Sequence, residues 1–146
     1  MMHQLVTTFS VPQSPEQVWQ VLTDLPSYQS WNSFMIAAAG ELVVGNKLEI
    51  TLSPSPDRKT TFKPTLLVVD KSRELRWRGR LIVKGLFDGE HFWTLAAHGQ
   101  GGTTITHGET FTGLLVRVVK PETFKPGFER MNRDMAAELT RRFDGG

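Results

Sequence analysis

The chain contains no cysteine. That absence excludes disulfide staples, thiolate nucleophiles and cysteine-based metal sites together. It also has no apolar run near the roughly 20 residues that a membrane-spanning helix needs, so no integral membrane segment is expected. The opening stretch, MMHQLVTTFSVPQSPE, lacks the basic start and apolar core of a secretory signal. A cytoplasmic location is expected by elimination. The four histidines, His3, His91, His98 and His107, show no HExxH or equivalent ligand spacing. No GxGxxG opens a helix after a strand, and there is no P-loop and no GxSxG. The glycines of Gly99-Gln100-Gly101-Gly102 are followed by no helical pattern, which argues against a phosphate cradle. Neither a metal nor a cofactor is expected.

An excess of one charge is missing too. The formal net charge is +2. The densest cationic groups are Arg76, Arg78 and Arg80, then Arg130, Arg133, Arg141 and Arg142, and acids interleave with the second group. A nucleic-acid binder would show an unbroken basic stripe with aromatic platforms, so no nucleic-acid partner is expected. What is present is ordinary globular chemistry: 146 residues, 39% apolar and 22% charged, fitting one domain over residues 1–146.

Residues 5–11 alternate with period two, Leu5, Thr7, Phe9 and Val11 on one face, as in a strand. Ser14-Pro15-Glu16-Gln17 reads as a capping box with proline at the first helical position, followed by the apolar stripe Val18, Trp19 and Leu22. Asp24 is placed to cap a second short helix over 25–31, because Pro26 stops the first. From about 34 to 113 the chain reads as strands divided by turn signals: 35–41, 47–53, 59–69, 74–84, 90–97 and 103–112, with a turn at 54–57. Pro64 marks an edge or a bulge within the third. Along 74–84, Leu75, Trp77, Gly79 and Leu81 share one face and Arg76, Arg78 and Arg80 the other. Short strands at this spacing indicate an antiparallel sheet.

The last hairpin pairs residues whose numbers sum to about 200. His91 then faces Glu109, Trp93 faces His107 and Leu95 faces Ile105, all on one side. From Phe128 onward the spacing of Met131, Met135, Leu139 and Phe143 predicts an amphipathic helix. Its opposite face carries the i,i+4 pairs Glu129–Arg133 and Glu138–Arg142, worth a few tenths of a kcal/mol each, so burial of the apolar stripe must dominate. Pro126 predicts a turn or kink before it. The expected class is α+β: a curved antiparallel sheet wrapped around a long C-terminal helix, with two short helices between the first and second strands.

Four strings carry a resemblance: Val11-Pro12-Gln13-Ser14-Pro15-Glu16-Gln17-Val18-Trp19; Tyr28-Gln29-Ser30-Trp31-Asn32; Gly89-Glu90-His91-Phe92-Trp93; and the run from His107 through Glu109 to Leu115. With the order of elements, they resemble the START-like or SRPBCC superfamily, whose fold is the helix grip and whose members include polyketide cyclases and dehydrases and lipid-transfer domains. The likeness runs over residues 8–139. Ser33 departs from a bacterial branch that often has proline after the Trp-Asn pair. The resemblance implies an enclosed hydrophobic ligand site and no single reaction.

His91 and Glu109 form the sharpest candidate pair. They suit a general acid–base pair for enolisation, aldol cyclisation or dehydration, or a satisfied polar pair that fixes register or lines a binding pocket. His107 beside Trp93 is a candidate partner for a ligand carbonyl or a packed strand histidine. Asn32 after Trp31 is either a ligand contact at the pocket mouth or a turn former. Asn132 lies among Met131, Met135 and Leu139, so its amide needs a water, a ligand or a sheet hydroxyl. Trp31, Trp77, Trp93, Phe87, Phe111, Phe128, Met131 and Met135 are candidate pocket wall or plain core. The expected function is binding of a small hydrophobic molecule such as a lipid, polyketide or aromatic metabolite. The alternative is a cofactor-independent cyclase or dehydratase. The oligomeric state stays open, with a homodimer as one option.

Overall fold

The computed structural model describes residues 2–80, 88–117 and 120–144. Strand β1 spans Met2–Val11. Helix α1, Pro15–Thr23, starts at the expected capping box: Gln17 N donates to Ser14 Oγ at 3.2 Å, and Ser14 N donates to Gln17 Oε1 at 3.0 Å. A 3-10 turn at Leu25–Ser27 leads into the one-turn helix α2, Tyr28–Trp31. Asp24 does not cap it with its side chain. Its carboxylate instead accepts from Arg142 Nη2 at 3.1 Å, tying the short helices to the other end of the chain.

Seven strands follow: β2 Met35–Ala39, β3 Glu49–Ser55, β4 Arg58–Phe62, β5 Thr65–Asp70, β6 Glu74–Arg80, β7 Asp88–His98 and β8 Gly102–Thr112. The expected single strand over 59–69 is thus two. Pro64 does not sit in a bulge. It lies between β4 and β5, which belong to different ladders, and its carbonyl accepts from Leu48 N at 2.9 Å. A residue without an N–H breaks a ladder at this point. The turn expected at 54–57 is narrower, because Pro54 and Ser55 belong to β3. Leu81, Phe87 and the expected extension of the strand to residue 84 lie outside the described residues.

The strands form two antiparallel ladders, β1-β8-β7-β6-β5 and β2-β3-β4. A bridge between Lys47 and Thr65, with Leu66 N donating to Asn46 O at 2.8 Å, joins them into one curved surface. A 3-10 turn, Pro121–Phe124, precedes α3, Lys125–Leu139, and a wider π-type turn, Thr140–Asp144, follows it. Of the turn or kink expected before Pro126, the structure has the turn, Pro121–Phe124. Pro126 itself occupies the first turn of α3, where its missing N–H has no intrahelical partner to lose. Phe128, Met131, Met135 and Leu139 are buried in the core, each worth about 1.5–3 kcal/mol in apolar burial. Glu138 is not on a solvent face as expected. It is buried and accepts from both Arg141 and Arg142. Among the described residues, the Glu129–Arg133 ion pair does not form.

Register aligns the concave face in rows. The β7–β8 pairs are His91–Glu109, Trp93–His107 and Leu95–Ile105, as the sum of 200 requires. Extended across the sheet, one row reads Leu5, Glu109, His91, Trp77, Leu66. The row on one side reads Thr7, His107, Trp93, Leu75, Val69. On the other side it reads His3, Phe111, Gly89, Gly79.

Candidate functional site

The last of these rows contains two adjacent positions without side chains. Space beside the sheet at Gly79 is taken by the ring of Phe62, which a methyl there would approach to 2.9 Å. Space at Gly89 is taken by the carboxyl group of Glu109, which a methyl there would overlap. Gly127 on α3 likewise makes room for the ring of Phe34. The resulting cleft is lined by Phe34, Met35, Leu52, Phe62, Phe111, Phe124 and Phe128, with His91 and Glu109 as its polar edge. It measures about 320 Å³ including its opening to solvent. Its enclosed part leaves about 20 Å³ for the centres of water-sized molecules, room for about one water.

A continuous polar chain leads away from this cavity. Glu109 Oε1 lies 3.0 Å from His91 Nδ1. His91 Nε2 lies 2.6 Å from His107 Nε2. His107 Nδ1 lies 2.7 Å from Asn132 Oδ1. Asn132 Nδ2 donates to Thr7 Oγ1 at 2.8 Å, and Thr7 Oγ1 donates to the carbonyl of His107 at 2.7 Å. Aromatic rings enclose the chain. Trp77 stacks on His91 at 5.7 Å between centroids, while Trp93 and Phe128 stack on the two sides of His107 at 5.0 and 4.8 Å.

Burial sets the charge of these groups. It lowers the His91 pKa to about 3 and raises that of Glu109 to about 8. Burial also holds His107 well below the usual imidazole range; His91 adds to the effect and the bond to Asn132 opposes it. A neutral carboxylic acid against a neutral imidazole is therefore the favoured state near neutral pH. Such a pair offers a proton and an acceptor within one hydrogen bond.

Of the candidate residues, His91, Glu109, Phe111 and Phe128 line the cavity. His107 and Asn132 lie behind it in the polar chain, and the partner Asn132 needed is a sheet hydroxyl, that of Thr7. Trp77, Trp93, Met131 and Met135 are buried core outside the cavity lining. Trp31 packs edge-on against Tyr28, and its Nε1 donates to Ser27 Oγ at 3.0 Å. Asn32 forms the turn into β2, its Oδ1 accepting from Phe34 N and Met35 N at 3.0 and 2.8 Å. Sequence reasoning missed Thr7, Gly79, Gly89, Phe34, Leu52, Phe62 and Phe124. Thr7 had a signal: it is a hydroxyl on the inward face of β1. Among the described residues, no group of three or more His, Cys, Asp or Glu side chains could hold a metal ion, and no helix is long and apolar enough to cross a membrane.

Comparison with known proteins places this geometry in a family. No curated protein sequence matches the chain. Among solved structures it is similar to the Zhui aromatase/cyclase from Streptomyces sp. R1128, at 14% identity and a TM-score of 0.79, over 100% of this chain and 99% of that one. It is similar to the major latex-like protein 151 of Panax ginseng, at 13% identity and a TM-score of 0.78, over 94% and 97% of the two chains. It is also similar to norcoclaurine synthase from Thalictrum flavum, in complex with dopamine and hydroxybenzaldehyde, at 13% identity and a TM-score of 0.72, over 97% and 88%. At these identities the likeness shows the fold, a helix grip. The family model for polyketide cyclase/dehydrase and lipid transport matches residues 2–144. The chain belongs to that family.

Proposed function

We propose that the protein binds a small, largely apolar molecule between the sheet and α3, with the molecule's polar group against Glu109 and His91. The observation that carries this reading is the single polar pair in a cavity otherwise walled by five phenylalanines, Met35 and Leu52. Recognition sites of this kind are mostly apolar with a few placed polar groups. The enclosed space is small, so the ligand must displace wall side chains. Leu52, Phe62 and Phe124 are half-buried, so on this reading they are the wall side chains that swing outward. Family membership supports the same reading.

The test is a titration with 1-tetralone, an uncharged aromatic ketone, followed by amide and methyl NMR. Saturable shifts at Met35, Leu52 and Phe111 are expected below about 1 mM. Leu52→Trp, which fills the cleft, should abolish them while leaving the far-UV spectrum intact. Absence of saturable shifts in the unsubstituted protein would refute the reading.

A second reading is an enzyme of the cyclase or dehydratase kind. The neutral acid–base pair at 3.0 Å favours it. On this reading, His91→Gln abolishes dehydration of a β-hydroxy ketone and leaves tetralone affinity intact. Persisting turnover would rule out the assignment.

A further inference from the structure

The polar chain has a direction, and the direction can be read from one end. The carbonyl of His107 only accepts, so Thr7 Oγ1 spends its one proton there. The hydroxyl oxygen is then an acceptor for Asn132, which must turn its NH2 toward Thr7 and its oxygen toward His107. His107 Nδ1 therefore carries a proton. In a neutral ring, His107 Nε2 is then a lone pair, and the facing His91 Nε2 must carry a proton. His91 Nδ1 and Glu109 Oε1 are left to share a single proton across 3.0 Å. Removing that proton would bring two lone pairs face to face at some link of the chain, whichever way the tautomers readjust. A buried clash of this kind is strongly disfavoured, because neither atom has water to turn to.

We propose that Thr7 and Asn132 are positioning residues that lock the tautomers of His107 and His91 and so keep one proton on the Glu109–His91 pair, which makes the polar edge of the cavity uncharged and selects an uncharged ketone or hydroxyl compound over a carboxylate of the same size. The ligand preference rests on the cavity reading above; the tautomer lock does not. Among the described residues, no cation lines the cavity to receive a carboxylate. The elements packed on the pair present Trp77 from β6, Leu5 from β1 and Phe128 from α3, none of which titrates. The titratable neighbour inside is His107. At the far end, Thr7 and Asn132 reach a surface groove lined by Lys125, Glu129 and Arg133. The alternating Asp88 and Glu90 of β7 point to the other face of the sheet.

The experiment is long-range proton–nitrogen correlation of the histidine rings in the unsubstituted protein, Thr7→Val, Thr7→Ser and Asn132→Leu. Valine is isosteric with threonine, so the fold is kept while the hydroxyl is lost. At pH 6.5 the unsubstituted protein should show one tautomer per ring, Nδ1–H for His107 and Nε2–H for His91. Thr7→Ser should preserve this. Thr7→Val and Asn132→Leu should show mixed tautomers, with loss of the shared proton at least one pH unit lower. Unchanged single tautomers in both disrupting variants would overturn the lock, as would the opposite tautomers or an imidazolium at His91 in the unsubstituted protein. In a parallel arm, 1-tetralone should bind at least tenfold tighter than 2-naphthoate at pH 7. Locked tautomers with no tetralone binding would overturn the cavity reading and the ligand preference while leaving the lock standing. Tetralone binding with unlocked tautomers would do the reverse.

Discussion

Replacing Glu109 with glutamine should change how stability depends on pH, and the change can be worked out from the buried chain. In the unfolded chain a glutamate releases its proton near 4.5; in the folded pair the proton is held to about 8. Over that window the folded state binds one more proton than the unfolded state. Stability must then fall as pH rises, by about 1.4 kcal/mol per pH unit. His91 and His107 act with the opposite sign. Both are neutral when folded, whereas the unfolded chain protonates them below 6.5. Their contribution is lost as pH falls below that value. Between 4.5 and 6.5 the Glu109 and His91 effects cancel and His107 remains. These groups together place the stability maximum near pH 6.5, with a fall of about 2 kcal/mol by pH 8. In Glu109→Gln an amide N–H replaces the acid O–H against His91 Nδ1, and it has no proton to lose. The variant's stability relative to the unsubstituted protein should rise by roughly 3 kcal/mol between pH 5 and 7.5. Urea unfolding at half-unit pH steps measures this directly. A flat difference would mean that Glu109 releases its proton at the same pH in both states. A slope of the opposite sign would mean that the fold stabilises the carboxylate. Either would refute the reasoning. Stability counts the proton without locating it within the pair, which is why the ring nitrogens need their own measurement.

Two further perturbations follow from the same geometry. Gly89→Ala places a methyl on the Glu109 carboxyl; urea titrations at pH 6.5 and 8 should show a loss of about 1–3 kcal/mol and a flattened alkaline limb, since the displaced carboxyl no longer meets His91. Glu138 is held down to about 2, first by its hydrogen bond from Arg141 and then by Arg142, despite some opposing burial. Its contribution is present above pH 4.5 and lost as pH falls toward 2, so Glu138→Gln should cost about 1–2 kcal/mol at pH 6.5 and almost nothing near pH 2, as thermal melts at both pH values would show.

Much of this architecture is local in origin and so was legible before any coordinates. The capping box at Ser14 and Gln17 needs only four consecutive residues. The facing of His91 and Glu109 needs only one hairpin and its register, because a period-two pattern and a glycine-rich loop determine both. Contacts between distant segments were not legible. Thr7 meets Asn132 only because the first strand pairs with the last and α3 crosses over both, a separation of 125 residues. The division of 59–69 depended on which ladder each half joins, and a lone Pro64 does not say. Aromatic content also could not separate wall from core: Trp77 and Trp93 have the same inward parity as Phe111, yet they pack on His91 and His107, one and two rows from Gly79 and Gly89, and stay outside the cavity lining. Helical spacing gave the Glu138–Arg142 pair but neither the burial of Glu138 nor the second arginine, Arg141, on the same carboxylate.

The central claim is that a small uncharged molecule sits in the cavity with its oxygen on the Glu109–His91 pair. A crystal structure of the protein grown with saturating 1-tetralone tests it most directly. The account predicts the ring between Phe34, Phe111 and Phe128, Leu52, Phe62 or Phe124 swung outward, and the ketone oxygen within about 3.2 Å of Glu109 or His91. A closed cavity with no ligand density, or a ligand seated elsewhere on the surface, would contradict it.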